Sequence, residues 1–319
     1  MDFVRITDVS PRDGLQNEPG VIPTADKARL VELLRKSGVD EIEVTSFVSP
    51  KWVPQLGDAG ELLNLLAISR NEDHARQSNP PWRSKPPVLS ALIPNQRGMD
   101  ELVRMITSIG KIFIEKISVF TAASEAFSQR NTNATIEETL RRFESVIINA
   151  HSLRQKVRGY ISCVIACPFE GPVNPSKVAE VARRLLDLGV DELDLGDTIG
   201  AGTPETIRAM LDAVIGEVGT DWLTPERQTL HLHDTFGRAA ACVKTALDMG
   251  VRSFDGSVAG LGGCPYASTP GNRAPGNIDT RLLVETIHAA GYVTGVDLAK
   301  LDAAATFARE IVTRSRGTA

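Results

Sequence analysis

The sequence predicts an α/β fold, a (β/α)8 TIM barrel with a short C-terminal helical extension. Eight short apolar, β-branched runs alternate with amphipathic helical patterns, the mark of a parallel sheet with helices outside. The eight units occupy roughly 290 residues, the size class of a closed barrel. No Gly-x-Gly-x-x-Gly fingerprint follows the first strand, as an open dinucleotide-binding sheet would require. The chain reads as one domain, 1–319, with the barrel over about 4–290 and the extension over about 291–319.

The units follow in order. VRITDVS (4–10) precedes TADKARLVELLRKSG, with Thr24 as the expected N-cap and Gly38 as the stop. DEIEVTSF (40–47) precedes a helix near 57–68. PVLSALIP (87–94) precedes a helix near 98–109, and EKISVFTA (115–122) precedes TIEETLRRFESVIINAHSL. RGYISCVI (158–165) leads into PSKVAEVARRLLDLG. DELDLGDT (191–198) leads into TPETIRAMLDAVIGEV, where Thr203 caps and Pro204 suits the first turn. QTLHLHD (228–234) precedes GRAAACVKTALDMG, and SFDGSVAG (253–260) precedes a helix near 279–290. The polar, proline-rich run 69–87 is expected as a surface loop on the face opposite the chemistry, with self-association as a weaker alternative.

Composition narrows the function. Lys and Arg number 35 against 40 Asp and Glu, a net charge of −5, which exerts no general pull toward nucleic acid. No run approaches the ~20 apolar residues of a membrane helix, and no signal peptide is recognised at the N-terminus. Four scattered cysteines, Cys163, Cys167, Cys242 and Cys264, make no disulfide framework, so a reduced, cytoplasmic protein is expected. Cys163, Cys167 and Cys242 read as packing residues.

Active sites of such barrels lie at the C-terminal ends of the strands, so the polar residues there matter. His231 and His233, two apart on one strand, point to one face and can bind a single divalent cation. Asp13 offers an anionic oxygen and Asn277 a neutral one; a nitrogen–oxygen set of this kind suits Mg²⁺, Mn²⁺ or, less obviously, Zn²⁺. Each also has a plain structural alternative, a turn residue for Asp13 and Asn277 and a core histidine for the pair. Arg12 keeps its charge and suits an oxyanion or a carboxylate. Glu43, inside an apolar strand, needs a partner, and Arg12 is the natural one. Gln16 follows closely, Asp197 ends its strand, and Cys264 lies in GLGGCPYA, where the glycines allow a mobile, reactive thiol or a tight turn.

SPRDGLQNE (10–18), TSFVSPKWVPQLGD (45–58), RGYISCVIACPFEG (158–171), LGDTIGAGTP (195–204), HLHDTFG (231–237) and SVAGLGGCPYA (257–267) resemble the 3-hydroxy-3-methylglutaryl-CoA lyase family. PRDGLQ and HxH mark a wider group of metal-dependent barrel lyases and condensing enzymes; GLGGCPYA marks the lyases. The resemblance implies cleavage of the acyl-CoA to acetyl-CoA and acetoacetate, Mg²⁺ or Mn²⁺ as cofactor, and a homodimer. It maps the cation ligands onto Asp13, His231, His233 and Asn277, and further active-site roles onto Arg12, Glu43, Asp197 and Cys264. His233 or Asp197 would be the base, Arg12 would stabilise the enolate, and Cys264 would be an acid or a gate.

The chain departs from that pattern in places. The loop after Cys264 is longer and offers Asn272 as an alternative to Asn277. Arg238 and Cys242 stand where glutamine and asparagine are expected, and the 69–87 run is long. A longer 3-substituent, a condensing acyltransferase, a pyruvate aldolase and a non-catalytic CoA-binding protein are the alternatives.

Overall fold

A computed structural model describes residues 2–76, 86–263 and 276–317. Eight parallel strands close a barrel: β1 (Arg5–Asp8), β2 (Glu41–Ser46), β3 (Val88–Leu92), β4 (Lys116–Ala122), β5 (Lys156–Ser162), β8 (Glu192–Asp197), β9 (Gln228–Leu232) and β10 (Ser253–Gly256). Their order around the barrel is β1-β10-β9-β8-β5-β4-β3-β2. Between β5 and β8, β6 (Ala166–Cys167) and β7 (Gly171–Pro172) form a small antiparallel ribbon.

The helices are α1 (Thr24–Ser37), α2 (Ala59–Arg76), α3 (Gln96–Ile109), α4 (Glu125–Thr132), α5 (Ile136–Ser152), α6 (Pro175–Asp187), α7 (Pro204–Val218), α8 (Ala239–Asp248), α9 (Thr280–Ala289) and α10 (Leu298–Arg316). Thr203 caps α7 and Pro204 opens it, as expected. Gly38 ends α1 at φ 87, a conformation that favours glycine. Thr24 does not cap α1: Pro23 takes the boundary, and the Thr24 hydroxyl donates to Glu61 at 3.1 Å. The polar run after residue 68 is not all loop either, since α2 continues through Arg76. Residues 77–85 lie outside the described residues.

Strand parity divides the barrel into two layers. Ile6, Ile42, Val44, Ile117, Leu193, Leu195, Leu230 and Phe254 join the buried apolar layer shared with the helices. Such burial contributes about 1.5–3 kcal/mol for each large side chain. The alternate positions carry polar side chains that meet across the interior. Arg158 reaches Glu41 at 3.2 Å, Glu192 at 2.7 Å and Asp255 at 3.3 Å. Lys116 binds Glu41 at 2.5 Å and also Glu192. The interior is therefore filled by an ion network below the strand ends. The C-terminal extension is α10, whose Leu301, Ala304, Ala308, Ile311 and Val312 are buried while Arg314 pairs with Asp26 of α1 at 3.0 Å.

Candidate metal centre

The loop after β1 is shaped by Asp8. Its carboxylate accepts from the Ser10 backbone at 2.9 Å, the Val258 backbone at 3.2 Å and the Thr280 hydroxyl at 2.7 Å, tying that loop to the one after β10. Burial pushes Asp8 up to about 6 despite these donors. The chain then makes a π-helical turn over Ser10–Gly14, with Pro11 near its start, and presents Arg12 and Asp13 at the barrel mouth.

Arg12 is held on three sides. Its Nε donates to Glu43, its Nη1 donates to Asp13 at 2.7 Å, and its guanidinium lies 5.4 Å from the centre of the Tyr160 ring. Glu43 is fully buried and also accepts from Ser118 and, at 3.3 Å, from the Tyr160 hydroxyl. The expected Arg12–Glu43 pairing is present, and it fixes the guanidinium beside Asp13.

His231 and His233 share a face, with ring centres 5.3 Å apart. Asp13, His231 and His233 each bring one ligand-type atom within 4.8 Å of the other two. Asn277 is drawn in by an isolated antiparallel bridge to His233. Its amide donates to Asp13 at 2.7 Å and to the Leu261 carbonyl at 3.0 Å. Among the described residues, that leaves Asn277 Oδ1 buried without a hydrogen-bond partner, as is His233 Nδ1.

The electrostatics fit a cation. Burial alone would raise Asp13, yet Arg12, His231 and His233 hold it down to about 2, so it stays ionised. Burial, helped by His231, pushes His233 down to about 4, so it stays neutral with a lone pair to give. Two imidazoles, a carboxylate and an orphaned amide oxygen form a donor set suited to a divalent ion. Gly262 closes the site from above: at φ 106, a Cβ there would lie 2.6 Å from Asn277 Nδ2 and 3.2 Å from Asp13 Oδ2.

Gln16 is half-buried, one helical turn beyond Asp13. Asp197 follows the interior positions Glu192 and Asp194 out of parity. Its carboxylate accepts from the Ala201 and Gly202 backbones at 3.0 and 2.7 Å, which organises the loop after β8; it lies outside the 4.8 Å group of Asp13, His231 and His233, and His231 is near enough to act on its charge. Burial raises it to about 6. Cys264 and Asn272 lie outside the described residues. Cys163 and Cys167 are buried in a small apolar cluster with Ala122 and Phe127, which fits packing. Cys242 is buried too, and burial raises its thiol to about 11.

Several neighbours were not anticipated from sequence. Asp255 lies 3.1 Å from His231 Nδ1, and Tyr160 stands edge-on to the His231 ring. Asp194, buried beside Asp255, is held well above the carboxylate range by desolvation and that neighbour. For Tyr160 and Asp194 the signal is polar residues two apart in apolar strands, as in RGY and ELD.

A family model described as HMGL-like matches residues 3–307. The mitochondrial hydroxymethylglutaryl-CoA lyase of Arabidopsis thaliana is 44% identical over 316 residues, covering 99% of this chain. The chain spans 61% of that relative's length. The crystal structure of the HMG-CoA lyase from Brucella melitensis has a TM-score of 0.84 at 40% identity and covers 98% of this chain and 100% of its own. A structure of an HMG-CoA lyase from Acinetobacter baumannii, at 30% identity and a TM-score of 0.81, is in complex with coenzyme A and 3-methylmalate; it covers 98% of this chain and 92% of its own.

Proposed function

The chain belongs to the HMGL-like family, and from that premise we propose that it cleaves 3-hydroxy-3-methylglutaryl-CoA to acetyl-CoA and acetoacetate. The observation that carries the reading is the gathering of Asp13, His231 and His233 within 4.8 Å, with Arg12 anchored beside them. The relatives named as lyases and the neighbour that binds coenzyme A support the same substrate class.

Asp13, His231, His233 and Asn277 would hold Mg²⁺ or Mn²⁺. Such an ion supplies positive charge that orients a hydroxyl and lowers its pKa. Arg12 and Gln16 contact the substrate. His233, neutral near pH 7, takes the proton from the C3 hydroxyl. One lone pair serves one partner at a time, so Asp13, His231 and Asn277 would hold the ion where His233 acts as the base. The C2–C3 bond breaks, and its electron pair moves onto the thioester as an enolate. The C3 oxygen becomes the ketone of acetoacetate. Arg12, fixed by Glu43, faces the enolate oxygen as charge develops there. Cys264 returns a proton to C2, which gives acetyl-CoA. Asp197 acts through the Thr198–Gly202 loop that it holds.

The reading extends to one catalytic domain over 1–319, a homodimer and a cytoplasmic setting. The three buried free cysteines among the described residues support a reducing compartment. No helix among the described residues is long and apolar enough to cross a membrane.

The test is acetyl-CoA release from 3-hydroxy-3-methylglutaryl-CoA and from an analogue with a longer 3-alkyl group, each with the parent and with Cys264→Ser. Faster cleavage of the methyl substrate, lost in the variant, is the expected result. Preference for the longer substrate overturns the substrate named here, and cleavage of neither overturns the reaction.

A further inference from the structure

Beneath the Asp13 cluster lies a second group of ligand-type atoms. Asp194, His231 and Asp255 also come within 4.8 Å of one another, and all three are buried. Arg158 already supplies positive charge there, 3.4 Å from Asp194 and 3.3 Å from Asp255. The group therefore does not call for a second metal ion. What it holds is one nitrogen of an imidazole: His231 Nδ1 lies 3.1 Å from Asp255 Oδ2.

A neutral imidazole has one N–H and one lone pair, and the partner of one nitrogen decides which is which. A carboxylate paired with a guanidinium only accepts hydrogen bonds. Facing Asp255, His231 Nδ1 must carry the hydrogen, so the lone pair is on Nε2. The ring has little freedom to turn: Tyr160 stands edge-on to it at 86°, with centres 6.3 Å apart. The Tyr160 hydroxyl itself lies 3.5 Å from Asp255 Oδ2.

We propose that Asp255 is a positioning residue for the cation site: by accepting the Nδ1–H of His231, it fixes the tautomer and ring orientation in which Nε2 presents its lone pair to the ion shared with Asp13, His233 and Asn277. This rests on the reading of that cluster as a cation site. A brace for Arg158 is the competing role, and the geometry argues against it. Without Asp255, Arg158 keeps Glu41 at 3.2 Å, Glu192 at 2.7 Å and Asp194 at 3.4 Å. Among the described residues Asp255 is the carboxylate that reaches His231 Nδ1; Asp194 lies in the same 4.8 Å group, but neither of its oxygens bonds the ring. Outer carboxylates on metal-binding histidines typically change metal affinity by about 10–100-fold.

Two measurements test the assignment. Long-range ¹H–¹⁵N NMR of the metal-free parent reports the tautomers of its five histidines, with His231→Gln identifying the resonance. The expected result is Nδ1–H at His231 before any metal is added; an Nε2–H tautomer overturns the proposal whether or not any variant folds. Mn²⁺ affinity is then measured by electron paramagnetic resonance for the parent, Asp255→Asn and Asp255→Glu. Asp255→Asn is expected to bind about 10–100-fold more weakly, with part of the loss restored by glutamate. Binding by Asp255→Asn within threefold of the parent overturns the proposal. A parent that binds no Mn²⁺ overturns the cation reading itself, and the proposal with it.

Discussion

The Asn277 amide donates to Asp13 at 2.7 Å, joining the loop after β1 to the loop after β10 across 264 residues of sequence. Because the amide nitrogen is spent on Asp13 and on Leu261, the amide oxygen is the atom left for a ligand. Asn277→Ala removes both that oxygen and the hydrogen bond that steadies Asp13. Mn²⁺ affinity, measured by titration calorimetry, is expected to fall by about tenfold or more, with the far-UV spectrum unchanged. Unchanged affinity would remove Asn277 from the ligand set.

Arg12 tests the anchored guanidinium. Lysine keeps the charge and loses the fork that reaches Glu43 and Asp13 together. Arg12→Lys should lower kcat by about 10²–10³-fold, the usual cost of a lost oxyanion donor, with KM close to the parent's. A rise in KM at constant kcat would show instead that Arg12 binds the ground state.

Gly262 tests the crowding above the site. Gly262→Ala places a Cβ 2.6 Å from Asn277 Nδ2 at a backbone φ of 106. Gly219, at φ 92 with nothing within 4 Å of a Cβ, carries the conformational cost alone. Both alanine variants should lose stability, by about 1–3 kcal/mol on thermal melting. Only Gly262→Ala should also weaken Mn²⁺ binding. Equal effects of the two on Mn²⁺ would mean that the loop does not close on the site.

The interior ion network sets an acid limit. Burial alone would raise Glu192, but Arg158 and Lys116 hold it down to about 2 from an ordinary 4.5. A carboxylate depressed on folding gives stability that is fully present above its unfolded pKa and is lost as pH falls through the folded one. The parent should therefore lose stability progressively from about pH 4.5 toward about pH 2. Lys116→Met removes the cation shared by Glu41 and Glu192. It should cost about 3 kcal/mol at neutral pH and move acid unfolding to higher pH. Circular dichroism across a pH series reads both.

Much of this arrangement was legible in the residues. The eight strand runs match the eight barrel strands, and His231 and His233 declared themselves by their spacing on an apolar strand. Glu43 was legible because a carboxylate in such a strand needs a partner, and Arg12 was close at hand. Asp255 and Arg158 were not, because one charge in an apolar run looks the same whichever strand supplies its partner. Arg158 and Glu41 lie 117 positions apart. Asp197 was expected at the chemistry because it ends its strand. The interior positions of that strand are Glu192 and Asp194, and the odd step to 197 turns the carboxylate toward the loop amides. The start of the 69–87 run was expected as loop because SRNEDHAR lacks an apolar stripe, yet α2 runs through Arg76.

The central claim is that Asp13, His231, His233 and Asn277 hold the cation on which carbon–carbon cleavage depends. Its most direct test is product stoichiometry after Mn²⁺ is returned to chelator-stripped protein, for the parent and for His233→Gln. The account predicts acetyl-CoA and acetoacetate in equal amounts from the parent only with the ion present, and neither from the variant. Full cleavage by the stripped parent, or by His233→Gln, would contradict it.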